Sequence, residues 1–119
     1  MKSILLVLLA ILGTSGCEGN VFAGCGDTVK TEAVSPGGRY VATVFERDCG
    51  ATADYSTNVS LREVKEPFDP SKQELILTVG GQPTVALEWS TESTLAVVIP
   101  EAETFTKLGV WRDVRISYR

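Results

Sequence analysis

The hydrophobic rhythm of the chain changes once, near residue 27. Before that point Ile4-Leu5-Leu6-Val7-Leu8-Leu9-Ala10-Ile11-Leu12 is an unbroken apolar run, followed by the small residues Gly13-Thr14-Ser15-Gly16 and a polar, glycine-rich stretch over 18–27. After it, short runs rich in β-branched and aromatic residues alternate with Gly, Pro, Asn, Asp and Ser. Such runs read as strands and such punctuation as turns. Strands are predicted over 28–34, 39–48, 56–64, 74–79, 84–89, 94–99, 103–107 and 110–118. Residues 94–99 are apolar on both faces, as in a buried central strand. Over 110–118, alternation puts Val114, Ile116 and Tyr118 on one side and Asp113, Arg115 and Ser117 on the other. No segment sustains a 3.6-residue period. Residues 65–71 carry Pro67 and Pro70 and read as a loop, with at most one helical turn over 71–74. The small residues of 49–54 form a loop able to cover one end of the sheet. The pattern predicts an all-β fold: a single small antiparallel β-sandwich, or a strongly bent sheet, of seven or eight strands.

Ser35-Pro36-Gly37-Gly38-Arg39 is a turn signal, because Pro presets φ and glycine tolerates positive φ. With Pro36-Gly37-Gly38 as the loop, Ser35 faces Arg39. The pairs then run Ala33/Val41, Thr31/Thr43, Val29/Phe45, Asp27/Arg47 and Cys25/Cys49. Register is unforgiving of a one-residue slip, and this one sets two thiols opposite each other at the open end of the hairpin. A Cys25–Cys49 disulfide is predicted, and with it an oxidising compartment.

The leader supports that compartment. Lys2, the apolar run and the small residues match a secretory signal in order and length, over residues 1–16. A membrane-spanning helix needs about 20 apolar residues, roughly twice this run. Thr14-Ser15-Gly16-Cys17 resembles the lipobox of bacterial lipoproteins. That resemblance implies acylation of Cys17, cleavage before it, and attachment to the membrane through an N-terminal lipid. Glu18 in place of Asp implies, by the same resemblance, the outer membrane. Two other cleavage patterns are present: Val21-Phe22-Ala23 fits an ordinary signal-peptidase site, and Phe22-Ala23-Gly24-Cys25 is a second lipobox-like stretch. Either of the first two routes removes Cys17 from the thiol count and leaves an even pair. Residues 17–26 read as anchor and tether, and 27–119 as the β domain.

Composition narrows the chemistry. Removing Lys2 leaves ten of eleven basic residues against fifteen acidic ones, a net charge of −5. That balance disfavours nucleic acid as a partner and permits a basic protein. The chain has no histidine, which removes Ser-His and Cys-His nucleophile pairs and imidazole metal sites. Glu101 and Glu103 sit beside Pro100 in a turn and read as a solvated edge. Glu46, Asp48 and Asp54 match no calcium-loop spacing. No metal site and no cofactor are expected, and no enzymatic activity. Of the two tryptophans, Trp89 reads as core. Trp111 shares a strand face with Asp113 and Arg115, so Trp111 and Arg115 are the candidate contact surface.

Two further resemblances concern the mature chain, the first over two short segments and the second over most of its length. Ser35-Pro36-Gly37-Gly38-Arg39-Tyr40-Val41-Ala42 resembles the turn-and-strand motif of TolB-type β-propeller blades, with Gly37 where that family has Asp. Leu87-Glu88-Trp89-Ser90-Thr91-Glu92-Ser93-Thr94-Leu95-Ala96-Val97 resembles a degenerate second copy. A propeller needs at least four blades, and this chain has room for two, so shared hairpin chemistry is the expectation. The signal, Cys25-Gly26, Ser-Pro-Gly-Gly, residues 45–52 and the closing Val-x-Ile-x-Tyr strand at 114–118 are similar to a loose group of small bacterial envelope lipoproteins. That likeness implies fold and location and brings no activity. The expectation is an exported envelope protein, acting as a non-catalytic protein-binding, structural or immunity-type module. A periplasmic module for a small molecule or glycan is the alternative.

Overall fold

The computed structural model describes residues 25–50 and 54–119. Among them are nine strands and no helix: β1 (Gly26–Val34), β2 (Tyr40–Asp48), β3 (Ser56–Glu63), β4 (Leu75–Gly80), β5 (Ala86–Thr91), β6 (Thr94–Val98), β7 (Thr104–Lys107), β8 (Val110–Trp111) and β9 (Val114–Tyr118). They form two sheets, ordered β1-β2-β3-β4-β7 and β5-β6-β9-β8. The chain is thus an all-β sandwich. Its pairings are antiparallel with one exception, since β6 and β9 run parallel.

The core lies between the sheets. One contributes Tyr40, Ala42, Val44, Val59, Leu61, Leu77 and Val79, the other Leu95, Val97, Trp111, Val114 and Ile116. Apart from Trp111, which lies on β8, these are alternate positions of strands β2, β3, β4, β6 and β9, as a two-residue side-chain period requires. The expected two-faced burial of 94–99 does not occur: Leu95 and Val97 are buried, whereas Ala96 and Val98 are only half-buried. Like its neighbour β3, strand β2 is instead buried on both faces. Its outer residues Val41, Thr43 and Phe45 are covered because the β3–β4 loop folds back over this sheet. Phe68 of that loop packs edge-on against Phe45 at 5.4 Å. Arg62 lies beneath it and donates from Nε to Glu66 O (2.9 Å) and from Nη1 to Thr43 Oγ1 (2.9 Å) and Glu32 Oε2 (3.4 Å). A buried guanidinium is tolerated when its donors are met in this way.

The β1–β2 register shows how turn and disulfide are reconciled. Next to the turn the pairs are Val34↔Val41, Ala33↔Ala42, Glu32↔Thr43 and Thr31↔Val44. That is one residue off the expected pairing, because Ser35 N donates to Tyr40 O (2.9 Å) and the loop is four residues, 36–39. A β-bulge at Lys30 then absorbs the slip, and Val29↔Phe45 and Asp27↔Arg47 follow as predicted. A bulge inserts one residue on one strand only, so the open end of the hairpin regains the register that places Cys25 against Cys49. The two are disulfide-bonded.

The two motif segments meet through Glu92. Its carboxylate accepts from Ser35 Oγ (2.6 Å), Arg39 N (3.1 Å) and Gly37 N. The Ser35 hydroxyl first, then the two backbone N–H groups and the Arg39 charge, hold the Glu92 carboxyl below its usual range. A Cβ on residue 37 would lie 2.6 Å from Glu92 Oε1. Glycine at 37 therefore answers a close approach, while Gly38 supplies the positive φ of the turn (78°).

Tyr118 fastens the opposite end of the sheet pair. Its hydroxyl lies 2.7 Å from Leu108 O and 3.0 Å from Ile76 O, and burial pushes its pKa up to about 12. Replacing it with phenylalanine is expected to lower stability at neutral pH by about 1 kcal/mol. A raised folded pKa means the contribution is whole below pH 10.0, the unperturbed tyrosine value, and is lost as pH climbs toward about 12. Urea midpoints of the parent and Tyr118→Phe proteins, measured at neutral pH and inside that alkaline window, should converge in the window. A gap that stays constant with pH would contradict the assignment.

Candidate functional site

The residues singled out in the sequence do not converge. Cys17 lies outside the described residues, as do residues 51–53 of the 49–54 loop. The Cys25–Cys49 bond sits exposed at the open end of the first hairpin. Trp111 and Arg115 do not share a face. The predicted last strand is broken by a two-residue turn, Arg112-Asp113, with Arg112 at φ 52°. The chain reverses there, and Trp111 pairs with Val114 while Val110 pairs with Arg115. Paired residues share a face, so the turn inverts the parity that an unbroken strand would have had. Trp111 points into the core, 5 % exposed, and Arg115 stands outward beside exposed Val110. Arg112, not Arg115, accompanies Trp111, with its guanidinium 4.5 Å from the ring centroid.

The carboxylates are also dispersed. Glu46 faces Lys30 at 3.8 Å, and Asp48 Oδ1 accepts from Gly50 N at 3.0 Å. Among the described residues no group of three or more His, Cys, Asp or Glu is placed to hold a metal ion.

What the structure does assemble is a seam. Strand β1 is the edge of one sheet and β5 the edge of the other, and among the described residues nothing pairs with either edge on this side. A groove of ≈ 750 Å³ runs between them, with Val44, Val85 and Leu87 toward the core and Thr31, Ala33 and Glu46 at the rim. One end is closed by Trp89, whose Nε1 donates to Ala33 O at 3.0 Å. Nearly all of β1 is exposed, including Val34 at 53 %. Since Ser35 N bonds to Tyr40 O, Ala33 and Thr31 turn their backbone groups toward β2. Glu32 and Val34 turn theirs outward, by the alternation of an antiparallel ladder. Among the described residues nothing pairs with the outer edge of β1. Residues 31–34 are the part of that edge that lies against the groove, and the Lys30 bulge interrupts its regular pattern, as edge bulges and edge lysines do to limit unwanted pairing.

The seam was not visible in the sequence. Residues 28–34 and 84–89 read as ordinary strands, and nothing in their pattern says that both are edges on the same side. The available signal was weak: two strands poor in large apolar residues, each next to a richer one.

Comparison of the chain with protein-family models, with curated proteins and with solved structures returned no match. The class is therefore defined by the fold and the groove alone: a small disulfide-bonded β-sandwich with a groove between the β1 and β5 edges of its described residues.

Proposed function

We propose that this chain is an exported, lipid-anchored, non-catalytic binding module of the bacterial cell envelope, which captures an extended segment of another protein along the β1 edge. The open seam carries this reading. An extended peptide can add to an exposed edge strand, drawing affinity from main-chain hydrogen bonds and specificity from pockets for alternate side chains. Outward groups on Glu32 and Val34 offer the hydrogen bonds, and the groove above Val85 and Leu87 offers the pocket. The leader and the Cys17 lipobox support delivery and anchoring, and the disulfide agrees with an oxidising compartment. The acidic balance permits a basic partner.

Site-specific photocrosslinking in the native host tests the proposal. A crosslinker at Thr31 or at Ala86 should trap the same protein, and one at Arg115 should not. Val34→Pro removes an outward N–H and spares the ladder to β2, so it should abolish the adduct while the melting curve stays in place. Ala86→Lys, at an exposed position on the groove, should weaken it by charge repulsion. Adducts that form equally from Arg115, or that survive both substitutions, would refute the seam as the binding edge.

A further inference from the structure

A second cleft, of ≈ 560 Å³, lies at the end of the sandwich that carries the disulfide. Its floor is the backbone of Gly80 and Gly81, and its walls carry Tyr55 and Phe105. Both rings are exposed, Tyr55 at 40 % and Phe105 at 62 %. Phe105 holds this position because of a bulge. Thr106 pairs with Thr78 and Thr104 with Val79, which leaves Phe105 as the extra residue. Bulges re-aim side chains, and this one sets the ring over Gly80, where a Cβ would meet Phe105 Cε2 at 3.5 Å. The walls are tied to the floor by backbone bonds, Gly80 N to Glu103 O at 2.9 Å and Gly81 N to Tyr55 O at 2.8 Å. A large apolar ring on a strand bulge, exposed and held in place, stabilises little of its own fold.

Charge completes the picture. Among the described residues the cleft is lined by two carboxylates, Asp54 and Glu103, and by no lysine or arginine. Glu103 Oε1 lies 3.9 Å from the Gly80 Cβ position, so the carboxylate and the Phe105 ring overlook the same spot. Neither carboxylate belongs to an ion pair among the described residues. Aromatic faces attract cations through their quadrupole and cover the apolar stem that carries the charge. Carboxylates beside them supply the counter-charge.

The geometry points to a receptor for one organic cation on an aliphatic stem, the side chain of a lysine or arginine carried by a protein. The cleft and the β1–β5 groove share Gln82, which donates from Nε2 to Glu46 Oε1 at 3.2 Å. A strand lying in the seam can thus continue past Gln82 and seat a basic side chain between Tyr55 and Phe105. This rests on the proposed seam function for the origin of the side chain, and on the cleft alone for its chemistry.

The test is a titration of the labelled protein by NMR, read at the amides of Tyr55, Gly80 and Gly81. The probes are Nα-acetyl-lysine amide, Nα-acetyl-arginine amide, putrescine, the uncharged Nα-acetyl-norleucine amide, and methyl glucoside. The lysine and arginine amides should shift these amides at millimolar concentration, more tightly than putrescine, and less so as salt is added. Phe105→Ala and Glu103→Gln, both at exposed positions, should each weaken binding roughly two- to five-fold. Val34→Pro should leave the titration unchanged, so a failed seam and a failed cleft give different results. Equal binding of the norleucine amide, preference for the glucoside or for putrescine, or no shift with either amino-acid amide would each overturn the assignment.

Discussion

Trp111→Ala lowers the unfolding free energy by roughly 3–5 kcal/mol, the range for truncating a large aromatic in a packed core. The ring is 5 % exposed, pairs with Val114 across the β8–β9 turn, and meets the Tyr40 ring edge-on at 5.3 Å and 83°. Its neighbours are themselves fastened: Tyr40 Oη donates to Asp113 Oδ1 at 2.7 Å, and Arg112 Nη1 donates to Glu63 Oε2 at 3.0 Å. Little can collapse into the space the indole leaves, which puts the loss toward the upper part of the range. Urea unfolding checks this. A change within about 0.5 kcal/mol, as for an ordinary surface substitution, would show that the indole is on the surface after all. Trp111→Phe, which keeps an aromatic against Tyr40, should retain a good part of the stability.

Reducing the Cys25–Cys49 bond is the other large effect, with a loss of roughly 3–4 kcal/mol in the chain-entropy model for a loop of this size. The cysteines are 24 residues apart, and the bond removes that loop's closure entropy from the unfolded chain. The loss should not spread evenly along the hairpin. Beyond the Lys30 bulge, residues 26–29 are held by four ladder pairs and the Asp27–Arg47 ion pair at 2.8 Å. Residues 31–34 are backed by the turn that Glu92 grips. Hydrogen exchange after reduction should therefore accelerate first in 26–29. Identical denaturation midpoints with and without reductant would refute the contribution. Intact mass of the isolated protein, before and after reduction, reads the bond and the mature N-terminus in one measurement.

How much of this was legible differs from element to element. Alternation located the strands within a residue or two, because one face of each must be buried and the side-chain period is two. The Cys25–Cys49 pairing was also legible, though the argument behind it held only in part. The loop is one residue longer than assumed near Ser35, and the Lys30 bulge restores the count. Nothing in Val29-Lys30-Thr31 announces a bulge. The Trp111–Arg115 face was misread for a related reason: Arg112-Asp113 has no glycine or proline to mark it as a turn, yet the chain reverses there and parity inverts. The Phe68 lid was hidden in what looked like a plain proline loop.

By itself the amino-acid order specified an all-β body, the position of its first hairpin, the pairing of Cys25 with Cys49, and the lack of any histidine for imidazole chemistry. These are local or nearly local properties, set by side-chain period, turn residues and composition. Only the tertiary structure decided which of the described strands become edges, that a groove runs between β1 and β5, that Glu92 reaches across to the Ser-Pro-Gly-Gly turn, and that Phe105 stands over Gly80. Those depend on how two sheets stack and where single bulges fall. Sheet order and stacking are chosen by contacts between residues distant in sequence, and a two-residue period carries no record of them.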